Sequence, residues 1–265
     1  METQKGGGTA PPALSEIVTS TAFNPEQVDE CLEHIRISMK RDNPVVSMCP
    51  PNGEKLIIVA GGPSLKGELE NLRATKHKIF TVNECHDFLI ENGIIPWGSA
   101  LSEVAELPED FIIPKEGIKY FLASQSAPKT FNNLKGFDVT LWHAWQGIGE
   151  DEILPPGTML IAGGFTTALR CLNLGYVLGH RNFEIYGLDS SFAEDTHSYK
   201  HYTHLSGMEI WCAGRVFKTL PALARQANEF REFCKNFHHL FKLKTHGDGL
   251  IQHIHRTAYP QFYEV

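Results

Sequence analysis

No two cysteines in this chain stand in a C-x-x-C arrangement; the six present, at positions 31, 49, 85, 171, 212 and 234, are scattered. Such spacing suggests neither a zinc knuckle nor a disulfide framework and reads as reduced, mostly buried thiols. No stretch approaches the roughly 20 uninterrupted apolar residues of a membrane span. The opening METQKGGGTAPP lacks the basic-then-apolar order of a secretory signal. The expected address is therefore cytoplasmic. G-x-x-x-x-G-K-[ST], G-x-S-x-G and the kinase motif set are missing, so the familiar phosphoryl-transfer and hydrolase templates find no support. A basic excess is missing too. The formal charge of −7 argues against a surface built to neutralise phosphate backbones and disfavours nucleic acid as a partner, although a local basic groove is compatible with that total.

What is present is 265 residues with 42% hydrophobic side chains, enough for a substantial core in one large or two small domains. Residues 1–13, with three consecutive glycines and a Pro-Pro pair, read as a flexible tail. Asn24-Pro25-Glu26 reads as a cap with proline at the first helical position, opening an accessory helix to about Met39 within an N-terminal segment, 14–52. Short apolar runs follow at Lys55–Ala60, Lys78–Val82, Ser99–Leu101, Lys119–Leu122, Asp138–Leu141 and Asn182–Tyr186. Helix-like stretches at 65–75, 84–92 and 164–178 separate them. Near-continuously apolar strands joined by helices predict an α/β, Rossmann-like domain over 53–245: a mostly parallel sheet with helices on both faces. Lys218–Phe237 reads as a long amphipathic helix and HLFKLK as a last strand, while 246–265, opened by Gly247-Asp248-Gly249, reads as a solvated tail.

Two glycine turns carry the chemistry. In LIIVAGGPSL, an apolar run enters Gly61-Gly62-Pro63-Ser64-Leu65. Gly61 and Gly62 allow close backbone approach, and Pro63 and Ser64 suit a helix start that Ser64 could cap, an arrangement fit for a phosphate or nucleoside. MLIAGGFTTA repeats the logic with Gly163, Gly164 and Thr166. For either pair the plainer alternative is a tight turn, or a helix–sheet contact, with no ligand. Two such turns face one crevice if their strands are neighbours at the switch point.

The set VAGGPSL, TVNECHDFLIENGIIPWGSALSE, IAGGFTTALRCLNLGY and FEIYGLDSSF, in that order over about residues 54–205, resembles the domain of MptE-like 6-hydroxymethylpterin diphosphokinase proteins and bacterial motility-associated factors. That domain is similar to glycosyltransferase family 42, the sialyltransferases. The resemblance implies a Rossmann-type fold. It also implies nucleotide contacts from Gly61 through Leu65, with Asn83 beside them and Glu103 where many relatives carry Asp. Gly163, Gly164 and Thr166 would line a donor pocket and Asp189 would end a further strand. Ala60-Gly61 stands before Gly62 where the sialyltransferases read Gly-Asn-Gly, which removes an asparagine amide that touches their donor.

DSSFAEDTHSYKHYTH follows, with Asp189, Glu194, Asp195, His197, His201 and His204. A sugar transferase needs a base for the acceptor hydroxyl, and His197 or His201 is the candidate, His201-Tyr202 resembling the sialyltransferase His-Tyr pair. His197 and His201 are also spaced for one helical face, so zinc is a competing reading, but no H-E-x-x-H order occurs and no metal site is expected. Trp142, His143, Trp145 and Gln146 could stack on a base or sugar, or simply pack. The leading expectation is a glycosyltransferase using a nucleotide sugar. The runner-up is ATP-dependent pyrophosphoryl transfer to a pterin-like alcohol, with Mg²⁺ held from among Glu103, Asp189, Glu194 and Asp195. A third is a non-catalytic nucleotide-binding module. The acceptor is left unnamed, and a homo-oligomer is compatible with the sequence.

Overall fold

The computed structural model describes residues 11–17, 24–194, 196–200 and 207–259. Helix α1 (Pro25–Ser38) opens as its sequence predicts: the Asn24 side chain accepts from the Gln27 N–H, the Gln27 side chain returns a bond to the Asn24 N–H, and Pro25 sits in the first turn. Strands and helices then alternate. They run β1 (Lys55–Val59), α2 (Leu69–Ala74), β2 (Lys78–Val82), α3 (Cys85–Glu91), β3 (Gly98–Leu101), β4 (Lys119–Ala123), α4 (Pro128–Asn133), β5 (Asp138–Ala144), α5 (Glu150–Ile153), β6 (Leu160–Ile161), α6 (Thr167–Val177) and β7 (Asn182–Tyr186). The hairpin β8 (Met208–Cys212) and β9 (Arg215–Thr219) follows, then α7 (Pro221–Phe237), β10 (Lys242–Thr245) and α8 (Leu250–Ala258).

Eight strands form one sheet in the order β10-β7-β1-β2-β3-β4-β5-β6, every pairing parallel. The fold is α/β and Rossmann-like. Alternation within β1 explains its two covered faces. Leu56 and Ile58 enter one core with Leu169 and Leu172 of α6 and Phe230 of α7, while Ile57 and Val59 enter another with Leu72 of α2 and Leu89 of α3. A third cluster joins Leu122 and Leu141 to Phe131 of α4. No described helix is long and apolar enough to cross a membrane.

Four readings of the sequence need correction. The helix expected from Lys218 begins at Pro221, because Lys218 and Thr219 finish β9, which pairs with β8 around Ala213 (φ 44°) and Gly214 (φ 86°); consecutive positive φ angles suit a tight hairpin whose signal lies in two residues. The helix-like run 65–75 starts as a 3₁₀ turn at Pro63–Glu68 and is α-helical only from Leu69. The region read as a solvated tail holds α8, whose Leu250, Ile251, Ile254 and His255 are buried against α7 and β10. The i, i+1, i+4 apolar spacing was there, but three residues of turn chemistry preceded it. Near the other end, Pro12 accepts from the Trp211 N–H at 2.9 Å and Leu14 is buried, so the end of the segment read as a flexible tail is docked against β8.

If α8 is part of the core, replacing Ile254 by alanine should remove about 2–4 kcal/mol of unfolding free energy by cavity formation. Urea denaturation followed by circular dichroism measures this, and an unchanged midpoint would return the segment to the surface.

Candidate functional site

Strand β1 lies between β2, which follows it, and β7, to which the chain returns after reaching the far edge at β6. That reversal is the switch point at which open parallel sheets hold ligands, at the carboxyl ends of the strands. A cleft of about 1440 Å³ opens there. Its wall includes Gly61 and Gly62 after β1, Asn83 after β2, Glu103 after β3, Gly163, Gly164 and Thr166 before α6, Asp189 after β7, and His197. The two glycine turns thus share one cleft. Pro63, Ser64 and Leu65 do not belong to its wall; Leu65 is fully buried in the core under the turn.

The first turn is not the bare anion cradle that its sequence suggests. Gly62 N–H donates to the Gly187 carbonyl at 2.6 Å, Ser64 N–H donates to Asp189 Oδ2 at 2.9 Å, and the Gly61 carbonyl accepts from Tyr199 N–H at 3.0 Å. A Cβ at Gly62 would lie 2.5 Å from the Gly187 oxygen and 3.0 Å from Asp189 Cγ. The approach of β7's end is therefore by itself enough to require glycine at position 62. Gly62 itself takes the N-cap position of the 3₁₀ turn, and Ser64 supplies no side-chain cap.

Asp189 is 2% exposed. Its Oδ2 takes the Ser64 N–H, and its Oδ1 makes no hydrogen bond of regular geometry. Burial pushes the carboxyl up to about 6, with Ser64 pulling in the opposite direction. Asn83 adopts a left-handed backbone (φ 52°), uncommon off glycine and concentrated at functional sites. Its Nδ2 donates to Glu103 Oε1 at 2.9 Å and its buried Oδ1 is unpartnered.

At the second turn Gly163 (φ 124°) and Gly164 (φ 96°) do need glycine for backbone reasons. Thr166 caps α6, accepting from Leu169 N–H at 3.4 Å, and the Thr167 hydroxyl meets that of Ser102. Gln226 of α7 links the halves of the site: its Nε2 donates to Thr166 Oγ1 and its Oε1 accepts from Ser190 Oγ, both at 2.7 Å. Glu229 accepts from Phe165 N–H at 3.0 Å and pairs with Arg225 at 2.8 Å. Arg170 is nearly buried, its Nε donating to the Gly164 carbonyl at 2.7 Å, and burial lowers its pKa. None of Arg170, Arg225, Gln226 and Glu229 was singled out from sequence. Arg170, as the one cation in the apolar run TALRCLNLGYV, left a signal; the α7 residues are more than 50 positions away and left none.

His197 lines the cleft with its ring 5.5 Å from that of Phe192, and burial holds its imidazole below the ordinary histidine value. His201, Tyr202, His204 and Asp195 lie outside the described residues. Glu194 is exposed and away from the cleft wall, so of the three suggested carboxylates among the described residues Glu103 and Asp189 are found in it. Among the described residues no group of three or more His, Cys, Asp or Glu side chains is arranged to hold a metal ion. Trp145 and Gln146 reach the cleft, whereas Trp142 and His143 are buried in the fold, His143 with its pKa lowered to about 4 by burial.

A parallel α/β sheet with a cleft at its switch point defines a Rossmann-like fold. The chain belongs to the family described as 6-hydroxymethylpterin diphosphokinase MptE-like, whose model matches residues 33–195. Among solved structures it is similar to the MAf glycosyltransferase from Magnetospirillum magneticum AMB-1, with a TM-score of 0.67 and 14% identity over 87% of this chain. It spans only 38% of the length of that protein. A mammalian sialyltransferase aligns over 90% of both chains at 10% identity, but with a TM-score of 0.43. No curated protein sequence matches.

The Asp189 environment makes a signed prediction. Its carboxyl titrates at about 6 folded and 3.8 in the ordinary state, so between those values the folded protein holds the extra proton. Stability should fall as pH rises through that window and level off above it, by on the order of 2–3 kcal/mol. Urea midpoints from pH 4 to 7 for the wild type, compared with Asp189→Asn, should show this slope only in the wild type; parallel profiles would mean the carboxylate ionises at no cost.

Proposed function

We propose that the cleft holds a nucleotide-activated donor and that the protein is a glycosyltransferase, moving a sugar from a nucleotide sugar to an acceptor hydroxyl. The observation that carries this reading is the meeting of the two glycine turns, Asn83, Asp189 and His197 in one cleft at the switch point. The glycosyltransferase named among the similar structures supports it at the level of fold. In the reaction the acceptor oxygen forms a bond to the anomeric carbon while the bond from that carbon to the leaving phosphate oxygen breaks. His197 takes the hydroxyl proton, since an imidazole kept neutral by burial is ready to accept one. Charge that develops on the leaving phosphate faces the N-terminus of α6, whose first N–H groups have no intrahelical acceptor. Asp189 positions the first turn through the Ser64 N–H.

The family description favours a second reading, pyrophosphoryl transfer from ATP to a pterin-like alcohol. There Glu103 and Asp189 would hold Mg²⁺ together with phosphate oxygens, the metal neutralising charge on the transferred group. A non-catalytic nucleotide-binding module is the third. All six cysteines are free thiols, which suits a reducing compartment such as the cytosol.

Calorimetry with nucleotide sugars and with free nucleotides separates the first two. Binding of a nucleotide sugar without added metal supports the transferase; tight ATP binding alone, with magnesium-dependent AMP release in the presence of a pterin alcohol, would replace it by the kinase. His197→Ala is expected to lower turnover by about 10²–10⁴-fold with little change in donor affinity. The acid limb of the wild-type rate should lie below pH 6.5, the ordinary histidine value. Absence of turnover in every assay would leave the binding module.

A further inference from the structure

Arg170 is 4% exposed and lines the cleft. Its Nε donates to the Gly164 carbonyl at 2.7 Å, and its Nη2 reaches the Trp145 carbonyl at 3.4 Å and Gln146 Oε1 at 3.5 Å. These acceptors are all neutral. Nη1 has no hydrogen-bond acceptor among the described residues, and no carboxylate there lies within ion-pair distance of the guanidinium. The two carboxylates whose charge acts on it are committed elsewhere. Glu229 serves Phe165 N–H and Arg225, and Glu150 accepts from the N–H groups of Gln146, Gly147 and Ile148. A permanent cation taken out of water with no ion-pair partner is costly, and an arriving anion would offset that cost.

Its surroundings select where such an anion would sit. Thr166, Thr167 and Ala168, at the N-terminus of the 11-residue α6, line the same cleft one turn before Arg170. At the first glycine turn, by contrast, the N–H groups of Gly62 and Ser64 are already taken, the latter by the Asp189 carboxylate. We propose that a phosphate group of the ligand docks between Arg170 and the N-terminus of α6, and not on the Gly61-Gly62 turn. This rests on the nucleotide reading above and fixes the ligand's direction in the cleft. The unpartnered Asn83 Oδ1 and the Glu103 carboxylate are then left to accept hydrogen bonds from hydroxyl groups, such as those of a ribose.

Sodium pyrophosphate, which carries no base or sugar, is the probe. It should bind the wild type, bind R170Q at least about tenfold more weakly, and move the arginine Nε–H resonance that is absent from the ¹⁵N spectrum of R170K. Equal affinity in R170Q, an unmoved Arg170 resonance, loss of binding in R225Q but not in R170Q, or no pyrophosphate binding by the wild type would each overturn the assignment. Should R170Q fail to fold, the wild-type resonance decides alone. A nucleotide sugar that binds wild type and R170Q equally sinks this inference and leaves the transferase reading standing. Failure of every nucleotide and of pyrophosphate sinks both.

Discussion

The contact on which the site depends is the close approach of the end of β7 to the turn after β1. Gly187 and Asp189 occupy the space where a Cβ of residue 62 would be, and their oxygens accept the Gly62 and Ser64 N–H groups. Two parallel strands that would otherwise diverge beyond the sheet are thereby tied at the switch point, and the cleft opens beside the tie. The arrangement costs something: a carboxylate held almost out of water, with no regular hydrogen bond to one oxygen, destabilises the folded state at neutral pH. Functional sites commonly carry such local costs, supported by the scaffold around them.

Charge in the cleft is divided. Beside the first turn stands Asp189, and beside the second stands Arg170, with Arg225 and Glu229 neutralising one another. Helix α6 accentuates the division because its positive end faces the cleft beside Arg170. An anionic ligand entering this cleft therefore meets a direction, and that direction is opposite to the one the glycine pattern suggests. The Gly-Gly-Pro-Ser turn looks like a phosphate cradle in one dimension because sequence reveals where backbone is bare of side chains. It does not reveal whether a distant carboxylate has already taken the donors.

The same reasoning accounts for how much could be read from sequence. The six strand candidates all fall within or beside observed strands, since parallel strands buried on both faces are apolar runs, and the cap of α1 was readable from Asn24 and Pro25 because capping is local. The β8–β9 hairpin and α8 were missed, the first because its turn rests on only Ala213-Gly214, the second because Gly247-Asp248-Gly249 masks a short amphipathic helix. In the site, residues adjacent to glycine turns could be named from motif position. Gln226, which bridges Thr166 to Ser190, could not: no local pattern distinguishes a polar residue on a long helix that faces water from one that faces a cleft.

The cleft draws on two different stretches of chain. Both glycine turns, Asn83, Glu103, Arg170 and Asp189 lie inside the span shared with the family, residues 33–195, whereas Gln27 and Val28 of α1 and Leu223, Arg225, Gln226 and Glu229 of α7 stand outside it. The floor thus lies inside the shared span and part of the rim outside it. Because Glu229 holds the Phe165 N–H and Phe230 packs with Leu56 and Ile58, any change in α7 that reshapes the entrance also reaches the second glycine turn and the sheet, so the banks of this basin are keyed into its bed.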